Sequence, residues 1–349
     1  MSNLSHGMRI GGKLSGARPT MKDVASRAGV ALKTVSRVVN GEPGVTPATA
    51  TRVLDAIKDL GFRRNESARL LRTGRTSALG FIADDFSDCD TARLCREIEE
   101  VAIEHGMLLF TGSTDREPER EQGLAMSLTA RRVDGLIILP TPGEHAYLAA
   151  EIDAGTATVF VLRPPTGVEA DTVLVDERGG ARRAVAHLIA HGHRRIGFLG
   201  SDPRQYRSRQ LMQGYAAAMA EAGLVAEDSW TTLTPQRLAD SPVTAVFCAG
   251  REHTTAALRA LAVPGAGPGA LSRPVAIVGF GDFDLADFVR PGLTVVTYDP
   301  AEVGRKAAEL LFRRLDGEDG LDGLPATSRR VEVPTRLIPR GSGEIPGPR

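Results

Sequence analysis

The residues most able to do chemistry with a partner lie close together near the start of the chain. If Leu32–Val39 is helical, Val35, Val38 and Val39 fall on one side and Lys33, Ser36 and Arg37 on another. A cationic and hydroxylic face backed by valines suits an element that packs on a small core and presents donors to a polyanion. A guanidinium such as Arg37's can donate two parallel hydrogen bonds to guanine O6 and N7, worth about 1–3 kcal/mol of base discrimination. A solvated helix arginine is the plain alternative. Other reactive groups form weaker constellations. His187, His191 and His193 invite a zinc reading, but Gly192 ends their helix and no carboxylate has ligand spacing. Gly279-x-Gly281 lacks the remainder of a dinucleotide fingerprint. Cys89, Cys95 and Cys248 have no metal-ligand spacing, leave one over as a pair, and fit a reducing cytoplasm. No cofactor, metal or catalytic constellation is therefore expected, and the chain reads as a binding protein rather than an enzyme.

The elements that must carry the cationic face are legible around it. Thr20 can cap a first helix with Asp23 three residues on, and Val24, Ala25 and Ala28 form its apolar face before Gly29 breaks it. Asn40-Gly41-Glu42-Pro43-Gly44 is a loop by composition, and Thr46-Pro47 starts a third helix with Val53, Ile57 and Leu60 on one side. Two helices joined by a glycine-containing turn and backed by a third form the helix-turn-helix plan. Charge agrees: residues 1–77 hold 14 Lys/Arg and 5 Asp/Glu, a net of +9, against −9 over the remainder of a chain whose formal net charge is zero.

Beyond residue 78 the texture changes. Apolar runs at 79–83, 107–110, 136–139, 158–162, 173–175, 196–199, 245–248 and 275–280 read as buried strands. Amphipathic segments such as 91–105, 179–191 and 210–222 lie between them. Alternation of this kind implies doubly wound parallel sheets, here in two similar lobes with a cleft at the carboxyl ends of the strands. No run of about 18 apolar residues is present, so no membrane span is expected, and the N-terminal stretch lacks the apolar region of a secretory signal.

The stretch Met21-Lys22-Asp23-Val24-Ala25-Ser26-Arg27-Ala28-Gly29-Val30, followed by Lys33-Thr34-Val35-Ser36-Arg37-Val38-Val39-Asn40, resembles the head of the lactose-repressor (LacI/GalR) family. Asn65–Leu71 is similar to the family's hinge helix. Arg132–Ile137, Gly192–Phe198 and Pro291–Val296 are similar to segments of its sensor domain, so the resemblance runs from residue 20 to about 340. It implies a multidomain chain: an all-α helix-turn-helix head and an α/β sensor of two doubly wound lobes, like a periplasmic binding protein. The expected organisation is a disordered basic arm (1–19), the head (20–64), hinge and linker (65–77), an effector-sensing and dimerisation domain (78–340), and a flexible tail (341–349). Within the sensor the N-lobe is expected at about 78–165 and 292–326, and the C-lobe at about 166–291 and 327–340. The chain would cross between lobes near 163–173, 289–293 and 326–331.

The resemblance also implies roles. Leu32, Lys33 and Arg37 match base-reading positions, while Thr20, Thr34, Ser36 and Asn40 suit phosphate contacts, which position without specifying sequence. Asn65, Ala68, Arg69 and Leu71 belong to a hinge that folds on DNA, and Leu71 matches a leucine that wedges into the minor groove, with Leu70 as its competitor. The implied partners are a palindromic double-stranded DNA operator and a small-molecule effector. The assembly is a homodimer, with a tetramer as the larger alternative. The protein would be a cytoplasmic, nucleoid-associated bacterial repressor. Cleft positions by alignment are Asp85, Phe86, Arg163, Arg209, Arg251, Asp282 and Tyr298.

Several positions depart from the family pattern. Ala31 replaces the usual Ser or Thr cap of the recognition helix, a loss of about 1 kcal/mol. Arg64 replaces the proline that normally opens the hinge. In the cleft, Leu162, Leu211, Gly250-Arg251 and Gly281-Asp282 replace polar groups that grip sugar hydroxyls. The arginines Arg163, Arg209 and Arg251 would suit a sugar acid or phosphate, and would equally serve as structural ion pairs. Two rivals share the body: a secreted sugar-binding protein, which has no use for the head, and a regulator whose cleft has lost its ligand.

Overall fold

A computed structural model describes residues 19–62, 76–262, 274–317 and 328–348. The chain divides into two compact units, residues 1–74 and 75–349.

The first unit is built from three helices: α1 (Met21–Ala28), α2 (Leu32–Asn40) and α3 (Pro47–Leu60). The capping box forms as the sequence predicts, Thr20 Oγ1 accepting from the Asp23 N–H while Asp23 accepts from the Thr20 N–H at 2.7 Å. Gly29 ends α1 in the left-handed region at φ 64°, where a Cβ would be strained. No side chain caps α2 at Ala31. That helix is held instead by Val35, fully buried with Val24, Val53 and Ala56, and by Val38 and Val39 at the edge of the same cluster. An Arg27–Asp59 ion pair at 2.8 Å ties α1 to α3 on the surface.

The second unit holds two sheets. The N-lobe sheet has order β10-β5-β4-β3-β1-β2, from β1 (Ala78–Ala83), β2 (Leu108–Ser113), β3 (Gly135–Ile138), β4 (Ala157–Val161), β5 (Asp171–Val175) and β10 (Arg330–Val333), all parallel. The C-lobe sheet has order β11-β9-β8-β7-β6, from β6 (Ile196–Leu199), β7 (Ala245–Cys248), β8 (Ala276–Phe280), β9 (Thr294–Thr297) and an antiparallel edge strand β11 (Arg336–Ile338). The principal helices are α4 (Cys89–Glu104), α5 (Pro118–Ala130) and α9 (Pro300–Leu315) in the N-lobe. Those of the C-lobe are α6 (Glu177–Ala190), α7 (Tyr206–Glu221) and α8 (Arg251–Leu261). Central strands are buried on both faces and mostly apolar because helices cover both, as parallel sheets require. The α6–α7 approach depends on Gly214, where a Cβ would stand 2.1 Å from the Arg178 carbonyl oxygen. Beside it, the buried Tyr215 hydroxyl donates to the Ile196 carbonyl at 2.7 Å.

Two sequence expectations need correction. The lobe boundaries lie later than expected: β5 pairs with β4 and β10 with β5, so both belong to the N-lobe, while β9 joins the C-lobe. The crossings therefore fall at residue 176, at 298–299 and at 334–335, not near 163–173, 289–293 and 326–331. Residues 341–348 are folded rather than a flexible tail. Ser342 is buried, its carbonyl accepts from the Ile277 N–H at 2.9 Å and its hydroxyl donates to the Ile277 carbonyl at 2.6 Å. Gly343 permits this, since a Cβ there would meet Val278 Cγ2 at 2.9 Å and Thr294 at 3.0 Å.

Candidate functional site

Two sites emerge, one on each unit. On the head, α1 and α3 bury the rear of α2 and leave its other face open. Leu32 is 45% exposed at the first turn, Lys33 is exposed beside it, and Thr34, Ser36 and Arg37 are half-buried. Arg37 reaches across the following loop, its Nη1 3.7 Å from where a Cβ would stand on Gly44. Asn40 Nδ2 donates to Glu42 Oε1 at 2.8 Å and to Ser36 Oγ at 3.4 Å, and the Thr20 hydroxyl is engaged by Asp23. Lys33 and Arg37 have no carboxylate partner among the described residues. One helix thus gathers Leu32, Lys33, Thr34, Ser36, Arg37 and Asn40, with Thr20 at the cap of its neighbour. Asn65, Ala68, Arg69 and Leu71 lie outside the described residues.

The second site is a cavity of about 410 Å³ between the lobes, within the usual range of small-molecule sites. Its walls come from the residues that follow the carboxyl ends of strands in both sheets. Asp84, Asp85, Ser87, Asp88, Asp90 and Thr91 follow β1, Arg116 follows β2, and Leu139 follows β3. Leu162 and Arg163 follow β4, and Glu177 follows β5. The C-lobe supplies Arg207, Gly250, Arg251, Glu252, Gly281 and Tyr298, with Phe280 from the end of β8 itself. This is where open parallel sheets place ligands, because successive connections diverge there.

Local backbone aims several of these side chains. Leu162 adopts φ 62°, a left-handed conformation unusual for a γ-branched residue. Its N–H donates to Val173 O at 2.8 Å, and the next N–H, of Arg163, turns back to Val161 O at 2.7 Å. The resulting tight turn carries Arg163 into the cleft, where it pairs with Asp84 and donates to the Pro140 carbonyl at 2.6 Å. Asp115 and Arg116 are likewise left-handed and bring the Arg116 guanidinium to 3.8 Å from Asp84. Asp88 caps α4 with one oxygen, accepting from the Asp90 and Thr91 N–H groups at 3.0 and 3.1 Å. Its other oxygen meets Arg251, which crosses from the opposite lobe and also contacts Asp90 at 2.7 Å.

These contacts set the titration of the cleft. Burial raises Asp90 despite Arg251. In Asp88, burial is outweighed by the Thr91 N–H and the same guanidinium, and its carboxyl is lowered. Burial pushes Glu177 up to about 7, Arg207 and Arg163 only partly opposing it, although Arg207 Nε lies 3.3 Å from Glu177 Oε1. His253, its Nδ1 3.2 Å from Glu252 Oε1, is the main cause that brings Glu252 down to about 2. Burial raises the Tyr298 hydroxyl.

Of the cleft positions expected from sequence, the structure brings together Asp85, Arg163, Arg251 and Tyr298. Three do not line the cavity. Phe86 turns into the N-lobe core, its ring edge-on to Phe81 at 5.6 Å. Arg209 is exposed, donating to the Arg204 carbonyl and lying over Tyr206 at 5.9 Å. Asp282 is held by two 2.7 Å bonds from Arg340, a residue of the folded C-terminal segment. Sequence reasoning missed Asp84, Asp88, Asp90, Glu177, Glu252 and Arg207. Arg207 had a signal: it precedes Leu211 by four residues, so it shares that helix face one turn closer to the cleft.

Head and body together define a class: a DNA-binding helix-turn-helix unit followed by a two-lobed ligand-binding fold. The comparisons agree. Residues 20–65 match the model for bacterial regulatory proteins of the lacI family, and residues 185–343 match a periplasmic binding protein-like domain. The transcriptional regulator GalS of Salmonella typhimurium is 31% identical over 335 residues, covering 93% of this chain and 96% of that one. CelR of Thermobifida fusca is 32% identical over 348 residues, covering 93% and 98%. Among solved structures, a CelR–cellobiose complex superimposes with a TM-score of 0.62 at 30% identity, covering 93% of this chain and all of that one. A lac repressor dimer bound to operator reaches a TM-score of 0.77 at 22% identity, covering 94% and 99%, a likeness of fold. The chain belongs to the LacI family and is a DNA-binding transcriptional regulator, not an enzyme.

Proposed function

We propose that this regulator is a repressor that binds a palindromic operator as a homodimer in the bacterial cytoplasm, and that a sugar-class effector in the interlobe cleft modulates it. The observation that carries the reading is the outward face of α2, where Lys33 and Arg37 stand without a carboxylate partner among the described residues while the cleft arginines are paired. Cations left uncompensated on an exposed helix suit phosphates and guanine edges. Leu32 offers apolar contact at the same face, and Thr34, Ser36, Asn40 and Thr20 serve the backbone. Asn65, Ala68, Arg69 and Leu71 are assigned to the minor groove on the strength of the family resemblance alone.

Dimerisation is favoured by an apolar strip on the N-lobe. Ile103 of α4 is 64% exposed, and Leu108 and Phe110 on the edge strand β2 are 68% and 46% exposed. Such a strip on a sheet edge is a self-association surface. A sugar-class effector is favoured by a cleft rich in hydrogen-bonding groups with the aromatic Tyr298 and Phe280 in its wall, and by the cellobiose complex of CelR. Two measurements test the reading. Selection of bound duplexes from a random pool should enrich an inverted repeat whose half-sites lie about one helical turn apart. Sedimentation of the protein with the selected duplex should give two chains per duplex. An asymmetric site, or one chain per duplex, defeats the dimeric repressor.

A further inference from the structure

Resting on that reading of the cleft, we infer that its effector carries an ammonium group beside its hydroxyls, so that an amino sugar is taken in preference to a neutral or acidic one. Six carboxyl groups and four guanidiniums line the cavity, a surplus of two acids when all are ionised. Each guanidinium already faces a carboxylate: Arg163 and Arg116 face Asp84, Arg251 faces Asp88 and Asp90, and Arg207 faces Glu177. The arginine charges are therefore already matched, though Arg207 Nε keeps a free N–H, and a carboxylate or phosphate would add to the acidic surplus.

The unpartnered carboxylate oxygens point the same way, while the cleft's unpartnered donor, Arg207 Nε, is left for a ligand hydroxyl oxygen. Among the described residues, five buried side-chain polar atoms lack a hydrogen-bond partner, and three are in this cleft: Asp84 Oδ1, Glu177 Oε2 and Arg207 Nε. Asp84 is 6% exposed at the end of β1, and Glu177 is 5% exposed at the start of α6, so one acceptor comes from each lobe. Buried carboxylate oxygens without donors are costly, and a ligand that supplies donors and positive charge relieves both deficits at once. An ammonium brings three donors and a unit charge, whereas a hydroxyl brings one donor and none of the charge. Glu177, held up at about 7 by burial, behaves as a carboxyl short of counter-charge.

The test is isothermal titration of the full-length protein with matched monosaccharides that differ in one substituent: glucosamine, glucose and glucuronate, and the galactose and mannose counterparts. Within the triplet that binds, the amine should be tightest, about tenfold or more over its neutral counterpart, with the acid weakest. Glu177→Gln should erase most of that preference, bringing the ratio of amine to neutral-sugar affinity towards one. Should Glu177→Gln fail to fold, Asp90→Asn gives the same readout. A neutral or acidic member that binds as tightly as the amine overturns the inference and leaves the effector cleft standing. Absence of binding by every member overturns both.

Discussion

The two sites of this chain treat positive charge in opposite ways. On the head, Lys33 and Arg37 are held outward by a helix whose rear is buried through Val35, and no described carboxylate neutralises them. In the cleft, every guanidinium is matched by acids of the same chain, and acids are left over. The counter-charge of the head must come from outside, and a polyanion supplies it; the cleft pairs its own guanidiniums with acids and leaves two carboxylate oxygens, on Asp84 and Glu177, without donors. Cation count alone would assign both sites to anions. Partner geometry separates them.

The comparison breaks most sharply at the core of the head. Val35→Asp buries a carboxylate among valines and should cost several kcal/mol, more than a small three-helix unit can absorb. Specific DNA binding should vanish while cleft titrations and the melting of residues 75–349 stay as they were. Loss of both functions would show that the two units do not fold independently.

Arg37→Ala should lose about 1–3 kcal/mol of discrimination at one base pair per half-site, read by repeating the duplex selection. A uniform loss across sequences would make Arg37 a phosphate contact and remove base reading from this position.

The cleft's surplus acid is addressed by Glu177→Gln without ligand. Glu177 ionises at about 7 in the folded chain against an ordinary value of 4.5, so the folded state holds its proton between those values. Its stabilising contribution is complete below about pH 4.5 and is lost as pH rises through 7. Glutamine cannot ionise, so the variant should melt about 3–8 °C higher at pH 8 and within a degree or so at pH 5. A variant that melts lower at pH 8 would mean that the pair with Arg207 outweighs burial.

The smallest effect sharpens the account of the head. Ala31→Ser restores a side-chain cap to α2 and should stabilise the head by about 0.5–1 kcal/mol, measured by its own melting transition. No change would mean that the helix start is already held by packing alone.

Legibility followed the range of the interactions involved. The head could be read almost completely because its determinants are local: the Thr20–Asp23 box, the left-handed Gly29 and the valine spacing of α2 all lie within a few residues. The sheets were legible as apolar runs, but which sheet receives β5, β9 and β10 is a pairing decision between distant segments, so the crossings were misplaced by a strand. Residues 341–348 read as a tail because Gly, Ser and Pro dominate them. They are ordered by donors and acceptors on β8 and beside β9 that no local pattern announces. In the cleft, alignment found residues at the strand ends but not their partners. By sequence Arg163 and Arg251 suit either a ligand or a structural ion pair, and in the structure both line the cavity and are ion-paired. Asp84, Asp88 and Asp90, which engage them, emerge only when β1 and the opposite lobe are brought together.

In the proposed function the cleft controls the head. The direct measurement is fluorescence anisotropy of the selected operator duplex with full-length protein, repeated with each saturating monosaccharide that titrates into the cleft. The account predicts that a sugar which fills the cleft changes operator affinity by about 5- to 150-fold, and that the operator changes affinity for that sugar by the same factor. A sugar that saturates the cleft and leaves operator affinity unchanged would contradict it.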